Sequence, residues 1–156
     1  MMRLLAIFLL ILASLSANPA AIAQDNSNAE VLETIDRFFE ALNTKDAEGM
    51  RAVMTDAGYV RVASFAEGRP PYRERTFTDV WESIQSQEGA LYEVYWDPTV
   101  LVHRDIAVAW MPYSFDYNGK RTHCGIDVFD LVRIEGKWKI ASLMYTVEPN
   151  ECPEGR

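Results

Sequence analysis

Apolar residues at Val31, Ile35, Phe38, Phe39 and Leu42 fall three or four positions apart and form one stripe of a predicted α-helix. Ser27-Asn28-Ala29-Glu30 reads as a capping box opening that helix, with Ser27 as the N-cap, and the pattern ends near Asn43. Asp46 is placed to cap a shorter second helix through about Met54, with Met50, Val53 and Met54 turned inward. At "GYVRVASFA" (58–66) the period drops to two, which predicts a strand. "EGRPPYRERTF" (67–77) reads as a loop, and Thr76-Phe77-Thr78-Asp79 starts a third helix running through Trp81 and Ile84 to about Gln87. The runs 91–103, 106–117, 121–134 and 137–147 are rich in β-branched and aromatic residues. Turn pairs at Arg104-Asp105, Asn118-Gly119 and Glu135-Gly136 separate them, and Asp97-Pro98 breaks the first run. Helices followed by a long antiparallel meander predict an α+β domain with helices on one face of a curved sheet. Such a sheet, closed by helices, forms a cone whose mouth is a natural pocket.

One strand is anomalous. "HCGIDVFDL" (123–131) puts Asp127 on the same side as Phe129 and Leu131, because alternate residues share a face. Either that side meets water, or a carboxyl group is held inside a pocket.

The start of the chain stands apart. "MMRLLAIFLLILASLSANPAAIAQ" has Arg3, an apolar run from Leu4 to Leu15, and Ala21-Ile22-Ala23 before Gln24. This is the layout of a cleaved signal peptide covering 1–23, and the run falls short of the roughly 20 residues that span a bilayer. The expected mature chain is one domain over 24–156, exported to a periplasm or the exterior. The net charge of −8, with no basic run, argues against nucleic acid or anionic membrane as a partner. Two cysteines, Cys124 and Cys152, are expected to pair in an oxidising compartment. The bridge would close a loop of about 29 residues and add roughly 3–4 kcal/mol on a chain-entropy basis.

Two strings carry a resemblance. "FFEALNTKDAEGMRAVMTDAGYVRV" and "YNGKRTHCGIDVFDLVRIEGKWKIASLMYT" resemble the opening and the closing hairpin of the NTF2-like superfamily, which includes SnoaL-like cyclases, scytalone dehydratase and ketosteroid isomerase. The resemblance covers nearly all of 24–156. It implies a cone in which a curved antiparallel sheet and three N-terminal helices enclose a pocket. Against the isomerase pattern, Phe38 stands where that family has a tyrosine and Val62 where it has its catalytic base. Only Asp127, in Gly-Ile-Asp-Val-Phe, matches, which argues against steroid isomerisation. The same alignment turns Met111, Tyr113 and Phe115 toward the pocket and leaves Trp110 on a convex side available for a homodimer through the sheet.

The expected ligand-binding wall is Tyr59, Trp81, Met111, Tyr113, Phe115 and Phe129 with Asp127, suited to a small, largely apolar molecule. Asp127 either keeps its proton and orients a carbonyl or enol of that molecule, or bonds to a neighbour such as Tyr59 or Trp81 and fixes the wall. In a competing reading the domain is a cofactor-independent lyase or isomerase, with Asp127 and either His123 or Tyr113 exchanging the proton. In a third it is a structural or partner-binding domain. His103 and His123 lack metal-ligand spacing, so neither metal nor cofactor is expected. Arg69, Arg73 and Arg75 crowd the 67–77 loop, where they either recruit an anion or are simply solvated.

Overall fold

The structure, a computed structural model, describes residues 19–150 and Cys152. The apolar run of the expected signal peptide lies outside the described residues. Three helices and seven strands follow one another as α1 (Pro19–Thr44), α2 (Ala47–Val53), β1 (Met54–Ser64), β2 (Tyr72–Thr76), α3 (Phe77–Gln85), β3 (Leu91–Tyr95), β4 (Thr99–His103), β5 (Ile106–Tyr117), β6 (Lys120–Ile134) and β7 (Lys137–Val147). They make one α+β domain. The sheet runs β2-β1-β7-β6-β5-β3, and β4 pairs with the other half of β5. All pairings are antiparallel except β1 with β7.

Local signals account for most boundaries. Asp46 accepts hydrogen bonds from the Glu48 and Gly49 amides at the start of α2. Thr76 and Asp79 form a reciprocal capping box on α3, satisfying amides that the first helical turn leaves open. Asn118-Gly119 and Glu135-Gly136 both take positive φ at the two turn positions, the handedness a tight hairpin needs. Asp97, also at positive φ, separates β3 from β4.

Three expectations are corrected. Helix α1 starts at Pro19, so Ser27 and Glu30 lie within it and cap nothing; proline is well suited to a first helical position. The 67–77 loop contains β2, whose alternating charged residues hid an edge strand held by β1 alone. The three helices do not all precede the sheet, since α3 is inserted between β2 and β3.

The core lies between α1 and the concave face. Val31, Ile35, Phe38, Phe39 and Leu42 are buried there against Ala109, Met111, Phe129, Leu131 and Ile140. Phe38 and Phe39 meet Phe129 edge-on at 5.4 and 5.9 Å between ring centres, a favourable aromatic arrangement. Register shifts in the β1–β7, β5–β6 and β6–β7 ladders bend the sheet, as bulges do. The bend lifts the wide end of the cone away from α1 and leaves space there. No helix among the described residues is long and apolar enough to cross a membrane.

Candidate functional site

That space is a cavity of about 220 Å³. Phe38, Leu42, Val60, Val62, Leu91 and Leu143 supply its apolar walls, and Arg75, Glu93, Tyr113, His123 and Tyr145 are its ionisable groups. An empty apolar cavity of roughly 150 Å³ accepts benzene, so by proportion this one accommodates roughly nine non-hydrogen atoms.

Strand register explains why these side chains meet. Val62 is opposite Arg73 on β2 and beside Tyr145 on β7. Tyr145 is opposite Asp127 on β6, which is opposite Met111 on β5. Residues so paired share a face, and one row therefore crosses the concave side from Arg73 through Val62, Tyr145 and Asp127 to Met111. A parallel row runs from Arg75 through Val60 and Leu143 to Phe129. A third joins Glu93, Phe115 and His123.

Glu93 and Asp127 form the polar end. Asn43, at the end of α1, grips the backbone of Glu93 from both sides: its amide group donates to the Glu93 carbonyl at 2.9 Å and its oxygen accepts from the Glu93 amide at 2.7 Å. This fixes β3 so that the Glu93 carboxyl points inward, although the residue as a whole is only half-buried. The carboxyl hydrogen-bonds to that of Asp127, which is 1% exposed and lies one layer behind the cavity wall. Burial disfavours the charged form of both. Glu93 is pushed up to about 8 and Asp127 well above the carboxylate range, further raised by the charge and hydrogen bond of Glu93. Both carboxyls therefore keep their protons at neutral pH, Asp127 the more tightly. Oδ2 of Asp127 is buried without a hydrogen-bond partner among the described residues.

His123 shifts the other way. Burial lowers it to about 4, so it is neutral at ordinary pH. Its ring sits 5.1 Å from that of Phe115 and 5.8 Å from that of Tyr113. The Thr122 hydroxyl donates its single hydrogen to the Phe115 carbonyl at 3.2 Å and lies 2.8 Å from His123 Nδ1. Tyr113 is committed elsewhere: its hydroxyl donates to the Thr146 carbonyl at 2.7 Å. Burial raises the Tyr113 and Tyr145 phenols.

Of the residues expected at the wall, Tyr113, Phe115 and His123 line the cavity. Met111 and Phe129 are fully buried in the core beneath it. Trp81 is buried behind it, its indole N–H 3.4 Å from Met54 Sδ and its ring under Arg51. Tyr59 is a correction: it is 46% exposed, with Arg61 stacked over its ring, because the β1 alternation turns Val60 and Val62 inward. Neither Tyr59 nor Trp81 bonds to Asp127; Glu93 takes that place. Glu93, Tyr145 and Arg75 were not anticipated as wall residues. For Glu93 a signal existed, since it alternates with Leu91 and Tyr95 just as Asp127 does with Phe129. Arg69 is exposed in the loop, whereas Arg73 and Arg75 belong to β2. Cys124 and Cys152 form a disulfide with 5.2 Å between Cα atoms, tying the tail to β6. Among the described residues, no group of three or more His, Cys, Asp or Glu side chains is arranged to hold a metal ion.

The fold has counterparts among solved structures. No curated protein matches the chain. Solved structures similar to it include an NTF2-like protein with a cystatin-like fold from Novosphingobium aromaticivorans, 15% identical with a TM-score of 0.67 over 85% of this chain and 89% of that one. An NTF2-like protein of unknown function from Pseudomonas putida is 16% identical, with a TM-score of 0.65 over 83% and 98%. A suggested dehydratase of the NTF2-like family from Streptomyces avermitilis is 19% identical, with a TM-score of 0.61 over 79% and 96%. At these identities the likeness establishes the fold alone. Residues 31–146 match the SnoaL-like domain as a family, and with most of its length matched the chain belongs to the SnoaL-like domain family, within the NTF2-like fold.

Proposed function

We propose that the chain binds a small, largely apolar molecule in the cavity and acts on it by proton transfer, as a cofactor-independent lyase or isomerase. The observation that carries this reading is the opposite displacement of two groups on one cavity wall. The Glu93–Asp127 pair keeps a proton at neutral pH, and His123 stays unprotonated there. Environments that push titratable groups apart in this way supply an acid and a base together. Glu93 and His123 are two strands apart, roughly 10 Å between backbones, on either side of Phe115, and all three line the cavity. The neutral His123 ring would accept a proton from carbon. The carboxyl pair would return one to a departing hydroxyl, releasing water, or to a neighbouring atom of the same molecule, giving an isomer. The suggested dehydratase of the same fold is compatible with the first outcome. The volume admits roughly nine non-hydrogen atoms, far fewer than a steroid contains.

The test is solvent exchange. Small ketones, enones and hydroxy-carbonyl compounds are incubated with the protein in deuterated buffer near pH 7 and followed by proton NMR. Catalysed deuterium uptake or water loss, abolished by Glu93→Gln and by His123→Gln, supports the reading. No uptake with any compound that raises the melting temperature would reduce it to binding alone.

The proposal extends to assembly and location. Leu101, Ile106, Val108, Trp110 and Met144 expose apolar side chains on the convex side of the sheet. A face of that kind is commonly covered by a second copy, and a homodimer is proposed. Export to a periplasm or the exterior is proposed from the first 23 residues and is compatible with the disulfide.

A further inference from the structure

Two cations at the edge of this cavity form no salt bridge among the described residues, although the charge of Arg75 reaches the Asp79 carboxylate. Arg73 and Arg75 occupy inward positions of β2, opposite Val62 and Val60, and both valines are cavity wall. Arg75 lines the cavity itself. Three salt bridges are formed among the described residues, Arg61–Glu74, Arg121–Asp116 and Arg133–Glu30, and neither arginine takes part in one. One N–H arm of Arg75 donates to the Asp79 carbonyl, while the Asp79 carboxylate is engaged in capping α3 through Thr76. Nε of Arg73 is buried with no hydrogen-bond partner among the described residues.

The arginines are not counterions for the carboxyl pair. Glu93 and Asp127 respond to burial and to each other, with no arginine contributing, whereas both arginines act on Tyr145. Tyr145 stands between the two ends of the row, opposite Asp127 and beside Val62. The cavity thus has a positive end at β2, a neutral hydrogen-bonding end at Glu93, and an apolar middle. A buried guanidinium donor without a partner is costly, and its planar fork suits a carboxylate.

We infer that the ligand is a small organic acid whose carboxylate is held by Arg73 and Arg75 and whose uncharged carbonyl or hydroxyl end lies against Glu93. This rests on the proposed function and specifies its substrate class. A single negative charge suits the site: Arg75 lines it, Arg73 takes the next inward position of the same strand, and the uncharged carboxyl pair does not repel an anion. The length of chain between the two ends is short, consistent with roughly nine non-hydrogen atoms.

The experiment compares keto- and hydroxy-acids of four to eight carbons with their methyl esters and with phosphate monoesters of similar length. Binding is measured by titration calorimetry near pH 7 in low salt, on wild type, Arg73→Gln, Arg75→Gln and the double variant. The expected result is that acids bind at least tenfold more tightly than their esters and than the phosphate monoesters. Each single variant should lose about tenfold toward the acid, and the ester's weaker binding should not change. Arg69→Gln, in the exposed loop, should behave as wild type. Unchanged melting temperatures in the variants separate a lost contact from a lost fold. Equal binding of acid and ester would overturn the inference, as would preference for the phosphate monoester. If esters bind and undergo solvent exchange that requires Glu93, the proposed function stands and only the anion clamp falls. If no compound binds, both fall.

Discussion

The concave and convex faces of β6 treat the same residue type in opposite ways. Asp127 is buried, bonded to a second carboxyl group, and holds its proton well above the usual range. Asp130, three residues on and therefore on the other face, is exposed and accepts a hydrogen bond from Ser142 at 2.5 Å. The neighbouring strand repeats the contrast in apolar residues. Ala109 and Met111 are fully buried, while Val108 and Trp110 are 40% and 45% exposed. Residue type alone therefore says little about role in this sheet; the face decides whether a carboxyl meets solvent or is buried against a second carboxyl.

Substitutions on the two faces should separate most widely at Phe129. Phe129→Ala removes a fully buried ring that touches Phe38 and Phe39, and urea denaturation should show a loss of about 3–5 kcal/mol. The disulfide comes next. Replacing Cys124 and Cys152 together by serine frees a loop whose ends are 28 residues apart. It should cost about 3 kcal/mol, and a reductant should lower the stability of wild type but not of the variant.

A pH series isolates the concave face. Glu93 is ordinarily half-ionised near 4.5 when unfolded and near 8 when folded, so the folded state binds the extra proton. Stability from this group is complete below about 4.5 and is lost as pH rises toward 8. His123 works in the opposite sense: its contribution is complete above 6.5 and is lost as pH falls toward 4. Between pH 6.5 and 8 the carboxyl pair therefore dominates, and stability should fall by up to about 1.4 kcal/mol per pH unit for each proton. Glu93→Gln should flatten that slope, and a slope unchanged in this variant would mean that the carboxyl is solvated. The smallest effect on the protomer belongs to the convex face. Trp110→Asp should alter the stability of an isolated protomer by less than about 0.5 kcal/mol, yet convert the proposed dimer to a monomer in light scattering.

Much of the architecture is legible along the chain because it depends on neighbours in sequence. Period-two alternation puts Met111 and Tyr113 on one side of their strand, and the family resemblance turns that side inward. Asn118-Gly119 and Glu135-Gly136 define hairpins, and Thr76 with Asp79 caps α3. The misreadings share a cause. Arg73 and Arg75 sit in a charged edge strand whose partner is supplied from β1, and Tyr59 is on the side opposite Val60 and Val62, which turn to the core. Ser27 looks like a cap only if the residues before it are not helical.

By itself, then, the sequence determines the order and type of most elements, the shared side of Asp127, Phe129 and Leu131, and the expected partner of Cys124. Each of these follows from local periodicity, turn chemistry or the presence of only two cysteines. The tertiary structure alone decides that Asp127 meets Glu93, that Asn43 aims Glu93 inward, and that Arg73, Tyr145 and Asp127 share one row. Those meetings depend on register between strands distant in sequence, and register is set by bulges and by the packing of α1, neither of which leaves a periodic mark on the chain.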